Sequence, residues 1–209
     1  MASCVGFNMS AKNIVNNLRK YALLNDLTFI DYIESTGTQY IVTDIIPDNN
    51  TRIVADFIQK TTSPLIRCIN GTERYALTYF WQANSTEIYS QRGTSVLQNT
   101  TTGKILGQRV LVDFNNSASK IIVDGTICGT LTQSLTLPMP PLVLFATNNA
   151  GNIITKASAQ KVSIQVYQGA ILVGDFRPAV NNVNGRPLSV NIITGERHYN
   201  EGTGEFLFG

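Results

Sequence analysis

The sequence predicts an all-β sandwich. Short stretches of alternating apolar and polar residues recur along nearly the whole chain, as half-buried strands require. Clusters of Gly, Pro, Asn and Asp separate them at short intervals, and these are the residues that turns select. Only one stretch has helical spacing, and 209 residues is a length that single sandwiches often fill.

The helical stretch runs from Ser10, a fair N-cap, to Leu24. Ile14, Val15, Leu18, Tyr21 and Ala22 form its apolar face, with Lys12, Asn16, Asn17, Arg19 and Lys20 opposite. The two asparagines lower its propensity, so the helix needs a partner surface. That surface is either its own sandwich or a neighbouring subunit, anchored through Ile14, Leu18 and Tyr21. Residues 1–28 are therefore expected to form an N-terminal arm and residues 29–209 the sandwich.

Strands are then expected at Thr28–Ile33, Gln39–Thr43 and Arg52–Ile58, with Pro47-Asp48-Asn49-Asn50 as a dense turn. Pro64–Ile69 ends at Asn70-Gly71. Tyr75–Trp81 and Glu87–Gln91 pair as a hairpin around the polar loop Gln82–Thr86, and a wide loop follows from Gly93 to Gly103. Gln108–Phe114 and Lys120–Asp124 make the next hairpin, and Asp124-Gly125 turns the chain into Ile127–Leu131. Leu137 to Pro141 is too proline-rich for a central strand, whereas Leu142–Ala146 reads as a buried one. Val162, Ile164 and Val166 alternate with polar residues and turn at Gln168-Gly169 into Ile171–Phe176, where Pro178 marks the end. Leu188–Ile193 and the terminal Phe206-Leu207-Phe208 complete the set.

Charged residues are only 14% and the net charge is +2, with no basic run, so no phosphate-neutralising patch for nucleic acid is expected. Cys4, Cys68 and Cys128 are odd in number and far apart, which argues against a disulfide framework and for thiols in a reducing compartment. The opening MASCVGF lacks a basic n-region and an apolar h-region, so no signal peptide is expected. No stretch approaches the length of a membrane span. The N-x-S/T triplets, at Asn49 and Asn70 among others, are expected by chance in so Asn- and Thr-rich a chain.

Two blocks carry a resemblance. The first is Tyr32-Ile33-Glu34-Ser35-Thr36-Gly37-Thr38-Gln39-Tyr40-Ile41, followed by Thr43, Pro47 and Thr51-Arg52-Ile53. The second runs from Tyr167 through Leu172-Val173 and Asp175-Phe176-Arg177-Pro178-Ala179 to Asn200-Glu201-Gly202-Thr203-Gly204. Together they resemble the laminin-G-like, concanavalin A-like jelly-roll modules of bacteriophage virion proteins and gut-bacterial surface proteins. In that family a Y-I-E-S-T-G-T-Q-Y-I opening recurs, with a closing L-V-R-D-F-x-P and Y-N-x-G-T-G. Two departures stand out: Gly174 replaces the usual Arg, and Arg186-Pro187-Leu188-Ser189-Val190 replaces a G-L-Y-D segment. The resemblance implies a concanavalin A-like antiparallel β-sandwich, and its motifs specify fold better than activity.

The same jelly roll hosts glycoside hydrolases, which need two carboxylates flanking the scissile bond. The E-x-D-x-x-E strand of the laminarinase-like branch is missing, and Glu201 and Glu205 lie in a glycine-rich terminus, so no catalytic residue is expected. His198 is the single histidine, and the cysteines offer no zinc spacing. Asp48-Asn49-Asn50 reads as a β-turn before it reads as a calcium ligand set. No cofactor or metal is expected. For binding, Tyr79, Trp81, Asn84, Tyr89, Gln91 and Arg92 combine an aromatic platform with amide and guanidinium donors. The same aromatics also suit the sandwich core.

The function expected from these features is that of a non-enzymatic virion structural protein, assembled in the bacterial host cytoplasm: a capsid decoration, head-fibre or tail-associated subunit. Its partners would be other virion subunits, met through the arm, and host or mucosal glycans; neither nucleic acid nor membrane is expected. The alternatives are an adhesion module of a gut bacterium and, third, a glycoside hydrolase.

Overall fold

The computed structural model describes residues 24–80, 88–99, 103–115 and 118–209. The predicted helix lies outside these apart from its last residue, Leu24, as do Ile14, Leu18 and Tyr21. The described residues form nineteen strands in two sheets. In chain order they begin with β1 (Leu27–Phe29), β2 (Ile33–Thr36), β3 (Ile41–Val42), β4 (Thr51–Gln59), β5 (Ile66–Asn70) and β6 (Glu73–Phe80). Next come β7 (Ile88–Gly93), β8 (Ser95–Asn99), β9 (Arg109–Phe114), β10 (Lys120–Val123) and β11 (Thr126–Thr130). The chain continues through β12 (Val143–Leu144), β13 (Ala146–Asn149), β14 (Asn152–Ile154) and β15 (Ser158–Gln168). It ends with β16 (Ile171–Asn181), β17 (Pro187–Asn191), β18 (Glu196–His198) and β19 (Leu207–Phe208).

The larger sheet is ordered β11-β10-β9-β4-β15-β16-β17-β18, with β2 beside β15, β19 beside β2 and β1 beside β16. The smaller runs β14-β13-β5-β6-β7-β8, with β12 bridging β3 to β5. All pairings are antiparallel except β13 with β5. Leu27 and Thr28, at the predicted arm boundary, pair in β1 with Asn181 and Val180 of the larger sheet.

The strict alternation of β4 sends Ile53, Ala55 and Phe57 inward, where they meet Val110, Val112 and Phe114 of β9 in register. From the smaller sheet, Cys68, Tyr75 and Leu77 face them, and Tyr75 meets Phe114 edge-on with ring centroids 5.1 Å apart. Asp124-Gly125 turns as expected, with positive φ at both positions.

Three expectations need correction. Val162 is not in phase with Ile164: a bulge between Lys161 and Ser163 makes Lys161, Ile164 and Val166 the buried set. Pro178 does not stop its strand, because its carbonyl still accepts from the Ile30 amide (3.2 Å) and β16 continues to Asn181. Leu142–Ala146 is broken at Phe145, whose φ of 65° turns the chain from antiparallel to parallel pairing against β5. The sequence reading also missed β8, where Gly93, at a φ of 64°, allows a tight return in place of a wide loop.

The two sequence blocks that open and close the sandwich meet in space, which explains their residue choice. Gln39 accepts from the Thr36 amide (2.8 Å) and donates to the Glu205 carbonyl (3.1 Å). Asn200 accepts from the Tyr40 and Gly202 amides (3.1 and 2.8 Å) and donates to the Gly204 carbonyl (2.6 Å). Asp175 is buried, bound by Arg177 (2.6 Å) and Gln165 (3.2 Å), a structural role.

Candidate functional site

The predicted β6–β7 hairpin is present, and Tyr79 pairs with Tyr89 across it. Trp81 and Asn84 lie outside the described residues, and Tyr79 is described only through this backbone pairing. Alternation splits the remaining three. Tyr89 and Gln91 share the outward face of the smaller sheet, where Gln91 is buried and accepts a long hydrogen bond from Arg67 (3.4 Å). Burial raises the Tyr89 phenol above its ordinary value, against the pull of Arg67 and Arg74. Arg92 points inward. Its guanidinium donates to the carbonyls of Gln133 (2.6 Å) and Leu131 (3.0 Å) and to the Asn115 amide oxygen (2.5 Å). Burial lowers its pKa below the usual arginine range. Arg92 is thus a buried fastener and not a ligand donor, which corrects the sequence assignment.

What Arg92 fastens is the floor of a cleft at one end of the sandwich. Asn115 follows β9 with a φ of 59°, an αL position that asparagine tolerates. Its side-chain nitrogen donates to the carbonyls of Thr51 (2.6 Å) and Asn49 (3.2 Å) while its oxygen takes the Arg92 bond. Three loops thereby converge: the turn before β4, the turn after β9, and the β15–β16 hairpin, whose Gly169 amide donates to the Asn50 carbonyl (3.0 Å). Between them lies a cleft of roughly 470 Å³ lined by Asn50, Arg52, Asn115, Ser119 and Tyr167 among others.

The cleft has the chemistry of a polar, uncharged host. Arg52 makes a two-pronged ion pair with Asp113 (2.7 and 3.0 Å), which raises its pKa and neutralises its charge locally. The same guanidinium lies 5.1 Å from the centroid of the Tyr167 ring. Asn50 is exposed at the mouth, with its backbone amide held by the Asp48 carboxylate (2.9 Å). Amide, guanidinium and tyrosine groups therefore face one concave space, the combination first sought in the β6–β7 hairpin. The sequence missed these residues because the turns that carry them are separated by more than fifty residues each. Their common signal was weak: asparagine or glycine in a turn at the end of a long strand, before β4, after β9 and after β15.

No family model matches the chain, and no curated protein sequence matches it. Two solved structures are similar in outline. A native heptameric SAP-like pentraxin from Limulus polyphemus has a TM-score of 0.48 at 12% identity, covering 69% of this chain and 76% of the pentraxin. The K499G mutant of the NanB sialidase from Streptococcus pneumoniae has a TM-score of 0.42 at 12% identity, covering 65% of this chain. The chain spans only 26% of the sialidase. These likenesses are low, and the sandwich stands on its own strand pairing.

Carboxylates are mostly engaged elsewhere. Asp56 pairs with Arg109, Glu34 with Lys60, Asp26 with Arg197 and Asp175 with Arg177. Glu73 accepts from the Thr136 hydroxyl and from the Leu137 and Thr136 amides, which together lower its pKa. Among the described residues, no group of three or more His, Cys, Asp or Glu is placed to hold a metal ion.

Proposed function

We propose that this chain is a non-enzymatic structural subunit of a bacteriophage virion, whose concanavalin A-like sandwich binds a glycan in the end cleft. The observation that carries the binding half is the cleft itself, where Asn50, Arg52 and Tyr167 face a single concavity over a floor fixed by Asn115 and Arg92. A hydroxyl-rich ligand suits it, since planar amide and guanidinium groups exchange hydrogen bonds with hydroxyls and the tyrosine offers an apolar face. The assembly half rests on the sequence blocks at Tyr32–Ile41 and Tyr167–Gly204, which resemble those of virion modules. Engagement of most described carboxylates in ion pairs or backbone bonds supports the non-enzymatic reading over paired-carboxylate hydrolysis.

Two experiments test it. A glycan array probed with the wild-type chain and Tyr167→Ala should show a signal that the substitution removes; an unchanged signal would refute the cleft. Mass spectrometry of purified virions should find the chain at a fixed stoichiometry. Its absence there would favour the adhesion module of a gut bacterium.

A further inference from the structure

The bulge between Lys161 and Ser163 sends Val162 to the outward face of the larger sheet, away from the core. Register fixes what stands around it. Glu34, Gln160, Ile58 and Arg109 lie side by side across β2, β15, β4 and β9. Each adjoins a buried inward residue (Ile33, Ala159, Phe57 and Val110), so all four face outward. Beside this row lies a hollow of roughly 350 Å³, lined by Asp31, Tyr32, Ile58, Arg109, Gln160 and Val162. Ile58 and Val162, on the two central strands, give it an aliphatic surface, and the longer side chains of Tyr32 and Arg109 flank them.

The charges around the hollow do not balance. Arg109 holds Asp56 in a two-pronged pair (both bonds 2.7 Å), and Lys60 holds Glu34 (2.6 Å). Lys104 donates to the Arg109 carbonyl (3.3 Å) and is paired with Asp124 (3.4 Å). Asp31 is exposed, and among the described residues it makes no hydrogen bond or ion pair. The bond and charge of Asp56 raise the Arg109 pKa, and the Asp31 charge adds to them. One carboxylate is thus left over beside a guanidinium already satisfied, so the hollow favours a cation. Next to that carboxylate, the Tyr32 ring is held in place by the residue after β19. Tyr32 and Gly209 exchange backbone hydrogen bonds (3.0 and 3.3 Å), and a Cβ on Gly209 would stand 2.9 Å from the ring's Cε1. An aromatic face attracts cations through its quadrupole.

We propose that this hollow receives the guanidinium group of an arginine side chain presented by a partner protein. Two of its N–H groups meet the Asp31 carboxylate, its flat face lies on the Tyr32 ring, and its methylene stem covers Ile58 and Val162. A guanidinium suits the site better than an ammonium, because it is planar and more weakly hydrated and so loses less on leaving water for a ring. The hollow is lined from one face of one sheet and the residues leading into β2. A free small ligand would stay largely in water there, whereas a partner's surface brings its own cover. The site shares no residue with the glycan cleft and does not depend on it.

The test follows the backbone amides of Tyr32, Gln160 and Val162 by NMR while the full chain is titrated with n-butylguanidinium chloride at constant ionic strength. The shift should saturate, and Asp31→Asn should weaken binding about fivefold, the loss of one charge-assisted pair at an exposed position. Asp31 is exposed and lies between strands, so this variant keeps its fold, and its amide spectrum checks that it does. n-Butylurea, a neutral compound of nearly the same shape, should give no saturable shift, and n-butylammonium should bind more weakly. Nα-acetyl-arginine methylamide, which carries the backbone of a peptide, should act like butylguanidinium. A linear, unsaturable shift overturns the proposal, as does an equal response in Asp31→Asn or to n-butylurea. Tighter binding of butylammonium overturns the arginine assignment, since the site would then read a lysine-type group. A response to butylguanidinium with none to the acetyl-arginine amide overturns the partner protein as its source.

Discussion

Gly202 lies so close to Thr38 that a Cβ on it would stand 2.0 Å from the Thr38 carbonyl oxygen and 3.1 Å from the Gln39 Cα. The contact joins residues 164 positions apart, and it is backbone against backbone, so no flexible side chain can give way. Around it the Glu201 and Thr203 amides donate to the carbonyls of Tyr40 and Thr38 (3.0 and 3.3 Å). The glycine-rich terminus is therefore a clasp on the first family block, and a small residue there is a steric necessity.

Gly202→Ala should consequently loosen the clasp. Overpacking that forces a backbone shift costs about 2–3 kcal/mol, and for a domain of this size each kcal/mol lowers Tm by roughly 2–4 °C. Thermal denaturation followed by circular dichroism should show a fall of that order. A Tm within a degree of wild type would mean the terminus does not brace the sandwich.

Lys161 makes stability depend on pH in a defined direction. It is wholly buried at the fork between β15 and β16, and its Nζ donates to the Phe176 carbonyl (3.1 Å) and the Ser189 hydroxyl (2.8 Å). Burial, with Arg177 adding to it and Asp175 opposing, pushes its pKa down to about 7. The unfolded chain keeps an ordinary lysine near pKa 10.4. Above pH 7 the unfolded state therefore holds more protons than the folded one, and stability rises with pH. Between pH 7.0 and 8.5 the gain should be about 1.5 kcal/mol. Burial also pushes the Cys68 thiol up to about 12, so above about pH 8.5, where the unfolded thiol ionises, its opposing contribution offsets that of the lysine and the rise levels off. Urea midpoints should climb across this window in the wild type and stay level in Lys161→Met. Parallel curves for the two would refute the buried-amine account.

Much of the sandwich was legible in the sequence, and the reason is local. The alternation of Ile53, Ala55 and Phe57, or of Val110, Val112 and Phe114, is a property of one strand and survives into the core unchanged. What failed depended on contacts between distant segments. The Lys161–Ser163 bulge shifts the phase of β15, and nothing local in Gln160-Lys161-Val162-Ser163 announces it. Phe145 takes a positive φ that a bulky residue avoids, held by hydrogen bonds to Leu65 and Ala157 (2.6 and 2.7 Å). The end cleft was illegible for the same reason, since Asn50, Asn115 and Tyr167 become neighbours only when three turns meet. Placing Arg92 needed only parity: it pairs with Tyr75, a residue whose inward direction the core requires.

The separation of support from recognition gives the last prediction. Arg92 and Tyr167 both border the Asn115 corner, Arg92 beneath it through a bond to the Asn115 oxygen, Tyr167 on the cleft wall beside it. Removing the Arg92 guanidinium strands three acceptors: the carbonyls of Leu131 and Gln133 and the amide of Asn115. Two of these bonds, to Leu131 and Asn115, are buried, and unpaired buried groups cost about 1–3 kcal/mol each, so Arg92→Ala should cost about 2–5 kcal/mol. Tyr167 is partly buried, and its hydroxyl donates to the Gln165 oxygen at its own strand (3.2 Å). Tyr167→Ala should therefore leave the urea midpoint nearly unchanged while removing glycan binding. Arg92→Ala should lower the midpoint strongly, and Arg92→Lys should recover only part of it, because a single ammonium cannot reach three acceptors in one plane. Equal losses of stability in Arg92→Ala and Tyr167→Ala would show that the cleft wall and its floor are one structural unit, and that Tyr167 is held for packing and not for a ligand.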